Sequence, residues 1–180
     1  MMKKLIAVVL VLVMACAMFA ACGNKEGGAA AAAKKYEGTM EEAVNAIIEK
    51  APVEFMGGLI PVDLTDTSED GLLMLESFTG LKSAEKLTDI AAYESMMGSQ
   101  AFSLVLVRVA EGVDAKTVAQ EVSDNINPRK WVCVGADEKI VAGYGDVVML
   151  IMLDTGLNLK AQSYVDAFAQ IAGGELDFTI

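Results

Sequence analysis

Val147–Leu153 reads Val-Val-Met-Leu-Ile-Met-Leu, seven apolar residues without a polar alternate. Side chains along a strand point to opposite faces in turn, so a run like this fits only a strand covered above and below. A second stretch, Phe102–Val109, has the same character: Phe102, Leu104 and Leu106 share one face, and Val105, Val107 and Val109 share the other. A fold that buries both strands needs helices against the sheet.

The helices are legible. Thr39-x-x-Glu42 is a capping box, and Met40, Ala43, Val44, Ile47 and Ile48 follow at helical spacing until Ala51-Pro52 ends the run. Residues 55–64 hold Gly57-Gly58 and Pro61 and read as extended and irregular, with a turn at the glycines. Thr67 or Ser68 caps a short helix through Leu72, Leu75 and Phe78, which stops at Thr79-Gly80. Residues 81–95 read as a short helix followed by an edge strand, and 97–100 as a turn. Asp114 caps a helix with Ala115, Val118, Ala119, Val122 and Ile126 on one face, stopped by Pro128. Three strands are then expected, at 131–134, 140–142 and Val147–Leu153. A last helix buries Ala161, Tyr164, Val165, Phe168, Ala169 and Ala172 and ends at Gly173-Gly174, and 176–180 supplies a final edge strand. This order implies an α+β domain with helices packed on a mostly antiparallel sheet.

Ahead of that domain lies a different kind of sequence. Met1-Met2-Lys3-Lys4 is a positive start, and residues 5–21 are all apolar. That is the layout of a secretory signal peptide. Its end, Phe19-Ala20-Ala21-Cys22, resembles a bacterial lipobox, in which the cysteine is acylated and becomes the first residue after cleavage. A membrane helix is the competing reading, but 17 apolar residues sit at the short limit of roughly 17–25 for spanning, and no stop-transfer pattern follows. The expected organisation is therefore a signal peptide over 1–21, the lipidated Cys22 with a flexible linker over 22–38, and a single domain over 39–180. The linker carries Gly27-Gly28, an alanine run and Lys34-Lys35. The membrane is then a partner through the lipid anchor, and the location is the outer face of the cell membrane.

Charge and composition narrow the partners further. Cleavage removes Lys3 and Lys4, so 12 basic side chains face 25 acidic ones, and the formal charge moves from −11 to −13. Such a field repels nucleic acid, which is excluded as a partner. Histidine is absent, which removes Ser-His-Asp and Cys-His catalysis and imidazole metal sites. With Cys22 acylated, Cys133 is the one thiol left and has no disulfide partner; in Trp-Val-Cys-Val it is expected to be buried and inert.

From Thr39 onward the chain resembles an uncharacterised domain-of-unknown-function family of Gram-positive bacterial lipoproteins. The residues carrying this are Met97-Gly98-Ser99-Gln100-Ala101, Asn127-Pro128-Arg129-Lys130-Trp131 and Tyr144-Gly145-Asp146-Val147-Val148-Met149-Leu150. The resemblance implies a lipid-anchored extracytoplasmic domain and carries over no catalytic or binding residues.

Several strings invite chemistry and do not sustain it. Ser83-x-x-Lys86 and Ser123-Asp124-Asn125 match two elements of penicillin-recognising enzymes, but the Lys-Thr-Gly element is missing and the chain is too short. Asp63, Asp66, Glu69 and Asp70 lack the spacing of a calcium loop and suit a helix cap. Gly143-Tyr144-Gly145 is a hairpin turn rather than a dinucleotide fingerprint. Met149 and Met152 point to opposite faces of one strand and cannot chelate one ion. No catalytic, metal or cofactor site is expected. Arg129, Lys130 and Trp131 form the one polar-aromatic group that could serve binding, with Trp131 as a stacking platform and Arg129 as an anion clamp. The structural reading of the same group puts Trp131 in the core and pairs Arg129 with an acid. The function expected is a non-catalytic binding or interaction module for an envelope protein or small ligand. The alternative is a carboxylate-dependent hydrolase of an envelope polymer using a pair among Asp63, Asp66, Asp137 and Asp146.

Overall fold

A computed structural model describes residues 34–180; Cys22 and the expected signal peptide lie outside that range. Six antiparallel strands form one open sheet: β1 (Gly57–Ile60), β2 (Leu87–Ser95), β3 (Phe102–Val109), β4 (Glu138–Tyr144), β5 (Val147–Leu153) and β6 (Phe178–Thr179), in the spatial order β1-β2-β3-β5-β4-β6. Helices α1 (Met40–Lys50) and α4 (Ala161–Ala172) cover one face, and α2 (Glu69–Thr79) and α3 (Ala115–Asn125) cover the other. The domain is α+β, as the pattern predicts.

The two doubly apolar strands sit side by side at the centre, β3 paired with β5 from Phe102↔Leu153 to Arg108↔Val147. Their alternate residues feed two separate cores. Phe102, Leu104, Leu106, Met149 and Ile151 meet α1 and α4, while Val105, Val107, Val148, Leu150 and Met152 meet α2 and α3. Met149 and Met152 thus lie on opposite faces, as their strand spacing requires. Phe102 is the hub of the first core, with the rings of Phe55, Tyr93 and Tyr164 edge-on around it at 5.2, 6.2 and 5.2 Å. The Tyr164 hydroxyl is buried there without a partner among the described residues, and burial pushes its pKa well above the ordinary phenol value.

The caps behave as their residues dictate. Thr39 accepts from the Glu42 N–H while Glu42 accepts from the Thr39 N–H, an arrangement worth about 1 kcal/mol to α1. Ser68 caps α2, Asp114 caps α3, and Gly173 ends α4 in a left-handed conformation.

Five expectations need correction. Residues 81–86 form no helix, and the strand after them is an interior one, because β1 pairs along its outer edge. Gly57-Gly58, which reads as a turn, is the start of β1. Residues 131–134 are not a strand: they belong to the loop between α3 and β4, which the Ala136 N–H closes onto the Pro128 carbonyl. Cys133 consequently lies in a loop and is exposed rather than buried.

Residues 34–38, which composition assigns to the end of the linker, are strapped across the β4–β5 turn. The Lys34 ammonium donates to Asp177 at 2.6 Å and to the Glu175 carbonyl at 3.2 Å. The Tyr36 N–H donates to Asp146, and Arg108 bridges the Tyr36 and Gly38 carbonyls to Asp146. Gly145 makes this approach possible: its φ is +59°, and a Cβ there would stand 2.2 Å from the Lys34 carbonyl oxygen.

The strap is expected to loosen in acid. Partial burial pushes the Asp177 carboxyl up, but its bonds with Lys34 and the Gly145 N–H outweigh this and hold it below the ordinary 3.8. A depressed carboxyl contributes stability above its unfolded pKa and loses it as pH falls through the folded value. Amide-exchange protection at Gly145, whose N–H donates to Asp177 at 2.7 Å, should therefore be full above about pH 4 and decline below it. Constant protection down to pH 2 would show that the carboxylate does not hold the strap.

Candidate functional site

The polar-aromatic group Arg129-Lys130-Trp131 lies on the loop between α3 and β4, and the structure divides its members. Asn127 starts the loop by accepting the Arg129 N–H at 2.9 Å, and the Ala136 N–H donates to the Pro128 carbonyl at 2.8 Å. Residues 128–136 are thus a compact loop whose ends meet, the Ω type that often carries function. Beyond it, Asp137 accepts from the Thr155 N–H and hydroxyl at 2.8 and 2.6 Å, which ties the exit to the turn after β5.

Lys130 pins the loop to the body of the domain. Its ammonium pairs with Glu94 at the end of β2 and donates to the Ser77 carbonyl at 3.1 Å and the Ser103 hydroxyl at 3.2 Å. It also stands over the rings of Phe78 and Trp131, at 4.4 and 5.3 Å from their centroids. The side chains of Lys130 and Glu94 are 8% and 16% exposed. Burial lowers the Lys130 pKa and the Glu94 charge opposes that. Glu94 Oε1 lies directly against the ammonium.

A lysine of lowered pKa beside a serine hydroxyl is the pairing that Ser-Lys nucleophiles use. Here the serine is inaccessible. Ser103 is 0% exposed, facing into the domain near the start of β3, and a substrate carbonyl cannot reach it. The cluster is a structural pin for the loop.

What the pin leaves outside is the candidate surface. Arg129 is exposed and forms no ion pair among the described residues, so it does not pair with an acid as the structural reading of the sequence has it. Trp131 is half-buried, its ring packed against the second core from the loop rather than from a strand, and its indole N–H is buried without a partner among the described residues. Val132 is 93% exposed at the loop's crown, beside the exposed Cys133. Loop anchoring by Lys130 escapes sequence reasoning because Glu94 and Ser103 are 36 and 27 residues away. One signal was available: Ser103 is, with Arg108, one of two polar residues in a strand otherwise apolar on both faces.

Of the carboxylates named for a hydrolase, Asp63 and Asp66 share the turn ahead of α2, and Asp137 and Asp146 lie on other segments. Asp63 accepts from the Thr65 N–H and hydroxyl, and Asp66 accepts from the Ser68 N–H ahead of α2. These bonds hold both carboxyls below the usual range, the reverse of what a general acid requires. Asp137 and Asp146 sit at opposite ends of β4, whose seven residues separate them by roughly 24 Å at ~3.4 Å per residue. Asp137 is held low by Thr155, and Asp146 is engaged by Arg108. Lys86 pairs with Glu121, so the Ser83-x-x-Lys86 string has a local role in holding the β2 approach to α3. Among the described residues no group of three or more acids or cysteines could hold a metal ion, and no helix is long and apolar enough to cross a membrane.

Comparison with family models, with curated proteins and with solved structures finds no match to this chain.

Proposed function

We propose that the protein is a lipoprotein of the outer face of the cell membrane, acylated on Cys22 after removal of residues 1–21, and that its folded domain is a non-catalytic interaction module. The anchor rests on Phe19-Ala20-Ala21-Cys22 behind a positive start and an apolar run, and on the lipoprotein-family resemblance of the strings at 97–101, 127–131 and 144–150. Two acyl chains on one residue are enough for stable attachment, where a single chain is marginal.

The observation that carries the interaction reading is the construction of the loop at 128–136. A buried lysine holds it in place while Arg129 and Val132 face solvent. Rigid presentation of a few exposed groups lowers the ordering cost of binding. The loop also lies far from the strap: Lys130 reaches Ser103 near the start of β3, and the strap is held by Arg108 five residues further on, roughly 17 Å away. A domain attached through residues 34–38 presents the loop at the opposite end of the sheet.

Two measurements test this. Metabolic labelling with an alkyne fatty acid should mark the wild type and not Cys22→Ala, which should also leave the membrane fraction; an unlabelled wild type removes the anchor. Pull-down from the cell envelope should recover a partner that Arg129→Ala and Val132→Ser, both at exposed positions, lose while keeping wild-type unfolding midpoints. If neither substitution changes what is recovered, the loop is not the binding surface.

A further inference from the structure

The sheet ends on one side at β1, and its outer edge is open. The Met96 N–H donates to the Met56 carbonyl at 2.9 Å, which sets the alternation of the β1–β2 ladder. In an antiparallel pair, hydrogen-bonded and non-bonded pairs alternate, so Gly58↔Glu94 and Ile60↔Ala92 are the bonded pairs. Gly57 and Leu59 therefore turn their N–H and C=O groups away from β2, and no described residue hydrogen-bonds to them. Gly57 and Gly58 also carry no side chains that would shield this edge. Gly57 is imposed from within: a Cβ there would lie 2.6 Å from the Tyr93 ring.

Beside the edge runs an open cleft of about 530 Å3 between β1, β2 and the start of α1. Leu59, Ile60, Ile90 and Ala91 give it an apolar lining, and Glu41 and Asp63 are its only charged residues among those described. At the other end of β1, Met56 and Met96 are 74% and 56% exposed. Methionine is polarizable and unbranched, and adapts to varied apolar partners.

We infer that the β1 edge is a binding site for an extended cationic peptide, which adds as a further strand to Gly57 and Leu59. Main-chain bonds to an open edge provide affinity for any extended segment, and pockets beside the edge select alternate side chains. Here a basic side chain falls against Glu41 and Asp63, and an apolar one falls against Met56 and Met96. Only Gly57 and Leu59 offer bonds, and Pro61 closes the strand, so the segment engaged is about five residues. A second copy of this chain is the poorer occupant: both edges would bring carboxylates, on domains that each carry a large negative charge. The site adjoins the loop at 128–136 through Glu94, the ladder partner of Gly58 that Lys130 holds, but it depends on neither that loop's binding role nor the anchor and stands whether or not either of those is correct.

The test uses the full chain in detergent and a fluorescent seven-residue peptide alternating lysine and valine, read by anisotropy. Binding should weaken at least tenfold when alternate peptide amides are N-methylated. It should also weaken at least tenfold in Leu59→Pro, where proline on an outward-facing edge position keeps the sheet and removes the donor. Glu41→Lys should weaken it several-fold, and a peptide alternating glutamate and valine should not bind. No binding of the lysine peptide at millimolar concentration, or equal binding of its N-methylated form, overturns the site. Self-association of the chain that Leu59→Pro abolishes would also overturn it, assigning the edge to a second copy.

Discussion

Lys130→Met is expected to lower the unfolding free energy by about 3–5 kcal/mol, the range for removing one partner of a buried ion pair. Methionine keeps most of the aliphatic stem over Phe78 and Trp131, so packing is largely spared. What is lost is the ammonium, and with it the partner of Glu94 and the bonds to the Ser77 carbonyl and the Ser103 hydroxyl. Glu94 is then a mostly buried carboxylate without a cation. Restoring neutrality should restore stability: the double variant Lys130→Met with Glu94→Leu is expected to fall within about 1–2 kcal/mol of the wild type, since apolar replacement of a whole buried pair is often neutral. Urea unfolding followed by the single tryptophan reads both variants. An unchanged midpoint for Lys130→Met alone would mean that the lysine does not pin the loop.

Phe102→Ala is expected to cost about 3–5 kcal/mol, the usual range for emptying a fully buried aromatic site. Phe102 is completely buried and is the ring that Phe55, Tyr93 and Tyr164 share. The neighbours cannot collapse into the space easily, because they come from the β1 approach, β2 and α4, three elements set by the sheet. Phe55→Ala provides the comparison: that ring is only partly buried and should cost clearly less. Equal losses at the two positions would mean that Phe102 is not the centre of this core.

Most of the elements were legible from local rules. The capping box at Thr39, the cap at Asp114, the left-handed stop at Gly173 and the two-faced apolar strands each depend on residues within one turn or one strand of each other. The misread segments share a different dependence. β1 begins with Gly57-Gly58, and Gly57 is a glycine because the Tyr93 ring crosses it, 36 residues away in the chain. Once β1 is missed, β2 necessarily reads as an edge strand. Trp131-Val-Cys-Val has strand composition, but propensity yields to context: Lys130 turns inward to Glu94 and Ser103 and holds the segment in a loop.

The candidate surface was half legible. Arg129 and Trp131 stand out by rarity, as one of two arginines and the only tryptophan. Their surroundings did not, because exposure of Arg129 and Val132 follows from Lys130 turning inward to Glu94 and Ser103.

By itself, the sequence determined that this is an acidic α+β domain with a central strand pair covered on both faces, since alternation and capping are written in adjacent residues. The tertiary structure alone decided the strand order, the strap of residues 34–38 over Gly145, the inward turn of Lys130 and the open edge at Gly57 and Leu59. Each of these is a contact between segments far apart in the chain, and local residue preferences carry no record of which distant partner will arrive.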